Sequence, residues 1–298
     1  MGKARGIKRR RTSTDPDAAG AYKKVLEESA NEDKAEKLVY EDRTAETEPE
    51  TSVKGKPDKE NGDAKNEKAE TREMESKRNV QVIVLLDNAN LEAVKLSGKN
   101  GGYALLNCDE HQAILRKHGK DANDARPDIT HQCLLALLDS PLNKAGKLKV
   151  YIHTKKNVLI EVNPQIRIPR TIKRFSGLMV ELLHKMKIRG TSGSKPLLKL
   201  VPNPFTAHLP VGARKILCTY NCDKLIDIQE HAKKITADAP ASTSDDVLPV
   251  LYIVGAMAHG KVDAPYAEES ICISDYPLSA ATVCSKIAYA YESLLGIF

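Results

Sequence analysis

An almost continuous apolar run at residues 80–86 (VQVIVLL) is the feature that most constrains the fold of this chain. Only Gln81 interrupts it, so neither face of a strand formed there suits water. Strands buried on both faces are typical of parallel sheets that are covered on each side. A second such run lies at residues 250–254, and the polar residues 87–90 are expected to end the first. The two runs predict a mostly parallel sheet.

Helical patterns lie between and after these apolar runs. Predicted helices cover residues 129–138, 171–187 and 279–295. Asp128 or Thr130 is the expected N-cap of the first, because both side chains can accept a backbone N–H. Residues 150–154 and 158–162 read as two strands joined by a short polar turn, which predicts a hairpin. Strands that alternate with helices indicate an α/β fold.

The first 78 residues differ from the rest of the chain in composition. They contain 19 Lys and Arg and 19 Asp and Glu, and their apolar residues are isolated. Such a segment cannot bury enough apolar surface to offset the entropy of ordering, so 1–78 is predicted to be a disordered tail. The folded domain is expected at 79–298, which carries the whole net charge of +6. The cluster at residues 8–11 (KRRR) is a candidate nuclear import signal or nucleic-acid contact.

Two classes of protein are disfavoured by composition. No apolar run approaches the length of about 18 residues that a membrane-spanning helix requires, so no membrane partner is expected. Six cysteines are scattered through the chain, which suits reduced thiols in the cytosol or nucleus. Cys218 and Cys222 are four residues apart, but no second pair of ligands stands at a spacing typical of zinc, so no metal site is predicted.

Residues 163–174 (NPQIRIPRTIKR) form the most basic stretch of the folded part. Pro169 is expected in the first turn of the helix that follows, with Arg170 and Arg174 on one helix face and Arg167 nearby. Arginines near the start of a helix offer planar donors to phosphates. A solvated basic helix face explains the same residues equally well, so composition alone leaves nucleic-acid binding open.

A second basic candidate is Arg126 in the sequence Arg-Pro-Asp. Pro127 keeps Arg126 extended, and Asp128 is close enough in the chain to orient its guanidinium. An ordinary helix cap with an ion pair is the alternative explanation.

The stretch VGAMAHGKV at residues 254–262 resembles a phosphate-binding loop, with Gly255, Gly260 and Lys261 correctly spaced. Val262 stands where that loop needs a hydroxyl to hold magnesium, which argues against a nucleotide hydrolase. Glycines directly after a buried strand let the backbone approach a ligand at the carboxyl end of a parallel sheet. A second loop, 273–279, leads directly into the last helix, so the two loops could enclose one small molecule, or both could be structural turns.

Several segments together resemble the nucleolar essential protein family. They are RPDITHQ (126–132), DSPLN (139–143), YIHT (151–154), NVLIEVNPQ (157–165), RIPR (167–170), GAMAHGK (255–261) and DYPLSA (275–280). Members of that family are SPOUT-class enzymes that methylate N1 of a pseudouridine in small-subunit ribosomal RNA. The resemblance implies an α/β fold with a C-terminal trefoil knot at roughly 215–298, bound S-adenosylmethionine, a homodimer, and a role in small-subunit biogenesis in the nucleus and nucleolus.

The same resemblance suggests which residues carry function. The cofactor residues implied are Gly255, Gly260, Ile273, Ser274, Asp275, Tyr276, Pro277, Leu278 and Cys222. The RNA-binding residues implied are Arg126, Asp128, Arg167, Arg170 and Arg174. Asp128 is a candidate catalytic group, although steadying Arg126 is its expected role, and no general base is assigned.

Two other functions stay open beside methylation. One is an RNA-binding assembly factor, working with other ribosome assembly proteins, whose scaffolding role does not depend on methylation. The other is the nucleotide hydrolase, which the residue at position 262 disfavours. His131, His153 and His259 are expected to be packed or capping histidines rather than catalytic groups.

Overall fold

The computed structural model describes residues 79–96, 101–190, 195–220, 222, 224–238 and 247–298. The predicted disordered tail at 1–78 lies outside this part of the chain, and so do residues 239–246 of the polar stretch 227–246, whose second half the sequence predicts to be a surface loop. Within it, no helix is long and apolar enough to cross a membrane.

Ten strands and six α-helices make up the described part. The strands are β1 (Val80–Ala89), β2 (Ala93–Lys95), β3 (Tyr103–Leu105), β4 (Leu148–Thr154), β5 (Leu159–Val162), β6 (Lys187–Arg189), β7 (Pro196–Val201), β8 (Arg214–Cys218), β9 (Leu248–Gly255) and β10 (Glu269–Ile271). The helices are α1 (Gln112–Lys117), α2 (Pro127–Leu138), α3 (Pro141–Lys144), α4 (Ile172–Lys185), α5 (Ile228–Ala237) and α6 (Ala280–Leu295). Short 3₁₀ turns occupy Ala122–Asp124 and Phe205–His208.

One eight-stranded sheet organises the fold, in the order β10-β8-β9-β1-β4-β5-β7-β6. The five strands from β10 to β4 are parallel, whereas β5, β7 and β6 extend the sheet antiparallel. β2 and β3 form a separate antiparallel pair. The predicted α/β fold with a mostly parallel sheet is confirmed, and so is the β4–β5 hairpin. Short strands such as β6 and β10 carried no clear pattern and were not predicted.

The central strand β1 is buried on both faces, as its sequence predicts. Val82, Val84 and Leu86 belong to the core that helices α2 to α6 share. Ile83 and Leu85 point to the opposite face, where they pack with residues of β4, β5 and β9 and with two loops instead of α-helices. Burying each such side chain stabilises the fold by about 1.5 to 3 kcal/mol, so β1 anchors both halves of the core.

β1 does not end at Leu86 as expected but continues to Ala89. Asn88 adopts a left-handed φ of 59°, and the register with β4 shifts between Leu86 and Ala89. Asparagine tolerates this conformation better than most residues do, so the polar stretch bends the strand without ending it.

Two helices begin at positions that differ from those predicted. α2 has Pro127 at its first position and Arg126 as N-cap, so neither Asp128 nor Thr130 caps it. Pro needs no N–H there and its φ suits the first turn, which explains the earlier start.

α4 begins at Ile172, so Pro169 does not lie in its first turn and Arg170 does not share a helix face with Arg174. The preceding segment has no regular secondary structure, and its Ile166 and Ile168 are buried in the core. Their burial holds the chain out of a helix until Thr171.

Candidate active site

A cleft of about 480 Å³ opens at the carboxyl ends of β8 and β9. Three loops, the first half of α2 and the start of α6 form its walls. Six of the nine predicted cofactor residues line it: Gly255, Gly260, Ile273, Ser274, Tyr276 and Leu278. This volume falls in the range of small-molecule sites, and its place at the strand ends is typical of ligand binding in α/β folds.

The loop after β9 packs tightly around its glycines. A Cβ added to Gly255 would lie 3.0 Å from Cγ2 of Val262 and 3.4 Å from Cε of Met257. Gly260 has a φ of +116°, which residues with side chains rarely adopt. The loop leads to β10 with no helix directly after it, so it lacks the helix N-terminus that a phosphate-binding loop needs.

The second predicted loop lies opposite and leads into α6. Ser279 caps this helix by accepting a hydrogen bond from the N–H of Thr282 at 3.2 Å. Ser274 Oγ accepts the N–H of Tyr276 at 3.1 Å, which fixes the turn between them. Asp275 and Pro277 are exposed and do not line the cleft. Of the predicted residues in this loop, Ile273, Ser274, Tyr276 and Leu278 therefore face the cleft.

The third wall of the cleft follows β8. Residues 217–220, not Cys222, line the cleft. The thiol of Cys222 donates instead to the carbonyl oxygens of Lys224 and Ser270, at 3.6 and 3.8 Å. Burial raises the pKa of the Cys218 thiol to about 12, so this residue contributes an apolar, unreactive wall.

Arg126 stands at the cleft and is held rigidly by Asp128. Its Nε and one terminal nitrogen donate to the two carboxylate oxygens of Asp128 at 2.8 and 2.7 Å. The Arg126 hydrogen bonds lower the pKa of Asp128, outweighing its partial burial. A carboxylate with a lowered pKa is a poor proton acceptor at neutral pH, so this geometry fits an orienting role for Asp128 better than a base.

The other three predicted arginines lie away from the cleft. Arg170 pairs with Asp139 at 2.6 Å, with both side chains largely exposed. Asp139 follows the carboxyl end of α2, whereas Arg126 precedes its start, so about 18 Å of helix separates the two. Arg167 and Arg174 are exposed and make no ion pair within the described residues. One copy of the chain therefore does not gather all four arginines at one point.

His131 holds the segment that carries these arginines. Its Nε2 lies 2.7 Å from the carbonyl oxygen of Pro169, and its ring stacks on Phe175 at 4.6 Å between centroids. Because His131 belongs to α2 and Phe175 to α4, the contacts of His131 connect the segment before α4 to both helices. Its predicted role as a packed histidine is confirmed.

A polar network lies beside Gly255 at the end of the sheet. Asp87 pairs in register with Gly255, and its Oδ1 lies 2.6 Å from His153 Nδ1. His153 Nε2 lies 3.0 Å from Asn157 Oδ1, which also accepts a hydrogen bond from Asn203. Both ring nitrogens thus face acceptors, which favours the protonated imidazolium. The Asp87 hydrogen bond raises the pKa of His153 despite partial burial.

This network predicts a stability difference that depends on pH. Because the folded-state pKa of His153 is raised, its contribution is complete below the unfolded value of about 6.5 and is lost as pH rises through the folded pKa. Urea unfolding of His153→Gln should show a deficit from the wild type that is about 1 to 2 kcal/mol larger at pH 6 than at pH 9. The same deficit at both pH values would mean that His153 stays neutral. His184→Gln, at another partly buried histidine, provides the control.

Comparison with known proteins places this geometry in a family. The model of the EMG1/NEP1 methyltransferase family matches residues 84–292. Ribosomal RNA small subunit methyltransferase NEP1 of Mus musculus is 52% identical over 217 residues, 73% of this chain and 83% of that protein. Ribosomal RNA small subunit methyltransferase Nep1 of Thermococcus kodakarensis is 30% identical over 198 residues, 65% of this chain and 83% of that protein.

A solved structure shares the fold. The crystal structure of Archaeoglobus fulgidus Nep1 bound to S-adenosylhomocysteine aligns with a TM-score of 0.52 at 23% identity, over 73% of this chain and 100% of that one. The predicted SPOUT-type α/β fold is confirmed, and the strand order around β8, β9 and β10 is consistent with its C-terminal trefoil knot. With the family model matching well over half of its residues, the chain belongs to the EMG1/NEP1 methyltransferase family.

Proposed function

We propose that this protein transfers a methyl group from S-adenosylmethionine to N1 of a pseudouridine in small-subunit ribosomal RNA. The observation that carries the proposal is the cleft at the ends of β8 and β9, which has Arg126 at its wall, in a chain of this methyltransferase family. The mouse and archaeal relatives are named as ribosomal RNA small subunit methyltransferases. Methylation of N1 of pseudouridine is the finer part of the proposal and rests on the sequence resemblance.

The residues of the cleft fit a cofactor of this size and chemistry. Close packing at Gly255 leaves backbone, not side chain, facing the cleft, and Ile273 and Leu278 supply apolar surface for a flat ring. When bound, S-adenosylmethionine supplies an electrophilic methyl group. Holding it in line with the attacking nitrogen is the main task of the protein, and such positioning can itself lower the barrier by several kcal/mol, about 7 or more in favourable cases.

Arg126 is the residue placed best to hold the RNA beside the cofactor. Its guanidinium is already fixed by Asp128, so little entropy is lost when it binds a phosphate. The target base must be extruded from its surroundings to reach a cleft of this depth. N1 must also lose its proton, and the lowered pKa of Asp128 leaves that step to a group outside this pair.

The separation of the arginines supports a homodimer as the working form. Arg167, Arg170 and Arg174 lie outside the cleft of their own subunit, so a second copy of the chain would extend the RNA surface. Action on ribosomal RNA in a precursor particle further implies other assembly proteins as partners and a nuclear and nucleolar location. The cluster at 8–11 suits import into that compartment.

Calorimetry and a methylation assay on the full chain test the proposal together. We expect micromolar binding of S-adenosylmethionine, no binding of Mg-ATP, and methylation of a small-subunit RNA hairpin that contains pseudouridine but not of the same hairpin with uridine. Methylation of the uridine hairpin would overturn the N1 assignment. RNA binding without cofactor binding would replace the proposal with the assembly-factor function.

A further inference from the structure

None of the α-helices in the described residues covers one of the two faces of the sheet. Helices α2 to α6 contribute core residues to the face that includes Val82 and Val84, and α1 packs on a small separate cluster. Two loops cover part of the opposite face: one contains Val262, and the other contains Phe205, whose ring packs on Tyr151 of β4 at 5.3 Å between centroids. The rest of this face across β4, β5, β7 and β6 carries charged side chains, and none of the described α-helices packs there.

The register of the strands shows that these charges share one face. Tyr151 of β4 pairs with Glu161 of β5, Glu161 with Lys199 of β7, and Lys199 with Lys187 of β6. Residues directly opposite in neighbouring strands point to the same side of a sheet. Lys149 lies two residues before Tyr151, so side-chain alternation places it there too. The register with β7 shifts between Ile188 and Arg189, but Ile188 packs against the core on the helix side, so the flanking Lys187 and Arg189 both face away from that core.

We call Lys149, Lys187, Arg189 and Lys199 the basic sheet face. Glu161 is the single carboxylate among them, and it pairs with Lys199 at 2.9 Å. Lys149, Lys187 and Arg189 are exposed and form no ion pair with any residue that the structure describes. With neighbouring strands about 4.8 Å apart, the basic sheet face extends roughly 14 Å from β4 to β6. It is a concentrated positive surface with little internal compensation.

Protection of a sheet edge is the simplest alternative explanation. Lysines on an edge strand discourage pairing with other chains, and β6 is such a strand. Lys149 and Lys199, however, belong to inner strands β4 and β7, whose hydrogen-bonding groups are already paired. Edge protection therefore accounts for only part of this surface.

We propose that the basic sheet face binds the phosphate backbone of a base-paired segment of the RNA that flanks the target site. Tyr151, the aromatic residue in this row, is only 5% exposed, so bases cannot stack there and single-stranded RNA is not favoured. Duplex RNA is recognised mainly through its shape and backbone, which lysine and arginine contact without reading sequence. The proposal rests on RNA being the substrate, as proposed above.

The location of this surface implies a substrate longer than the target loop. Arg174 lies on α4, which packs on the other face of the sheet. RNA that reaches both Arg174 and Lys187 must therefore pass around the β6 edge. A hairpin cut down to its loop would contact only the arginines, whereas a hairpin with its flanking helix would contact both surfaces.

The test compares two RNAs and two protein variants. The first variant is Lys149→Ala/Lys187→Ala/Arg189→Ala, and the matched control is Lys117→Ala/Lys144→Ala/Lys233→Ala, which removes the same charge from other exposed positions. Affinity of the full-length proteins is measured for a target hairpin with and without its flanking helix, at several salt concentrations. Calorimetry with S-adenosylmethionine verifies that each variant is folded.

We expect the wild type to bind the long RNA more tightly than the short one, and the first variant to lose most of that difference. Each lost phosphate contact should lower the slope of log affinity against log salt by about 0.7 to 0.9, and the affinity for long RNA should fall on the order of tenfold. Equal effects of the two variants would overturn the proposal.

Other outcomes separate the remaining explanations. If the first variant keeps its RNA affinity but self-associates, the lysines protect the edge and the proposal fails. If it keeps RNA affinity but no longer cosediments with small-subunit precursors, the surface binds a protein instead, which also overturns the proposal. Failure of the wild type to methylate either RNA would instead refute the proposed function.

Discussion

Gly255→Val is expected to weaken binding of S-adenosylmethionine by at least about a hundredfold, which corresponds to about 2.7 kcal/mol. Even the Cβ of this valine would lie 3.0 Å from Val262 Cγ2, and its two γ-methyl groups need still more room. The loop must shift to make that room, and it forms a wall of the cleft. Isothermal titration calorimetry on the full chain measures the loss.

Two further variants show whether that contact is the cause. Gly102→Val is the control, because a Cβ there meets no atom within 4 Å, and its cofactor affinity should equal that of the wild type. Gly255→Ala should bind more weakly than wild type, and adding Val262→Ala should restore part of the loss by removing Cγ2. Undiminished binding by a folded Gly255→Val protein would show that the cofactor lies elsewhere.

Arg126→Ala is expected to lower kcat/KM for RNA methylation by about a hundredfold, because it removes a cleft-lining cation and leaves Asp128 without its partner. Asp128→Asn should lower it by about tenfold, since Arg126 keeps its charge but loses one charge-assisted bond in a partly exposed pair. Steady-state methylation assays and RNA titrations measure both effects.

Comparing the loss of RNA affinity with the loss of turnover in Asp128→Asn identifies the role of Asp128. An orienting role predicts that Asp128→Asn loses RNA affinity and turnover together. Intact RNA affinity with lost turnover would contradict this and make Asp128 the proton acceptor. Arg116→Ala, at an exposed position on α1, is the control and should leave both quantities unchanged.

The sequence predicts the middle of this fold well because burial leaves a strong pattern there. The run in β1 has apolar residues on both faces, and α4 repeats its buried residues at helical spacing. β8 has only five residues and a charged start, so no period identifies it. No sequence pattern therefore identified residues 217–220, which line the cleft.

The segment before α4 shows a different limit of sequence patterns. Arg170 and Arg174 have helical spacing, yet only Arg174 lies on the helix. Burial of Ile166 and Ile168 and the hydrogen bond from His131 hold the chain outside the helix through Pro169. These contacts join residues 38 positions apart, and local spacing carries no information about them.

The amino-terminal half of α2 lines the cleft with Arg126, Ile129 and Gln132. The start of one helix thus contacts the cleft proposed to hold the cofactor and also follows the arginine proposed to hold RNA. When two ligands contact the same structural element, their binding is coupled by a free energy, and each ligand changes the affinity of the other by the same factor. If bound cofactor raises the affinity for RNA by some factor, bound RNA must raise the affinity for the cofactor by the same factor. The protein would then retain its methyl donor best when its RNA substrate is bound.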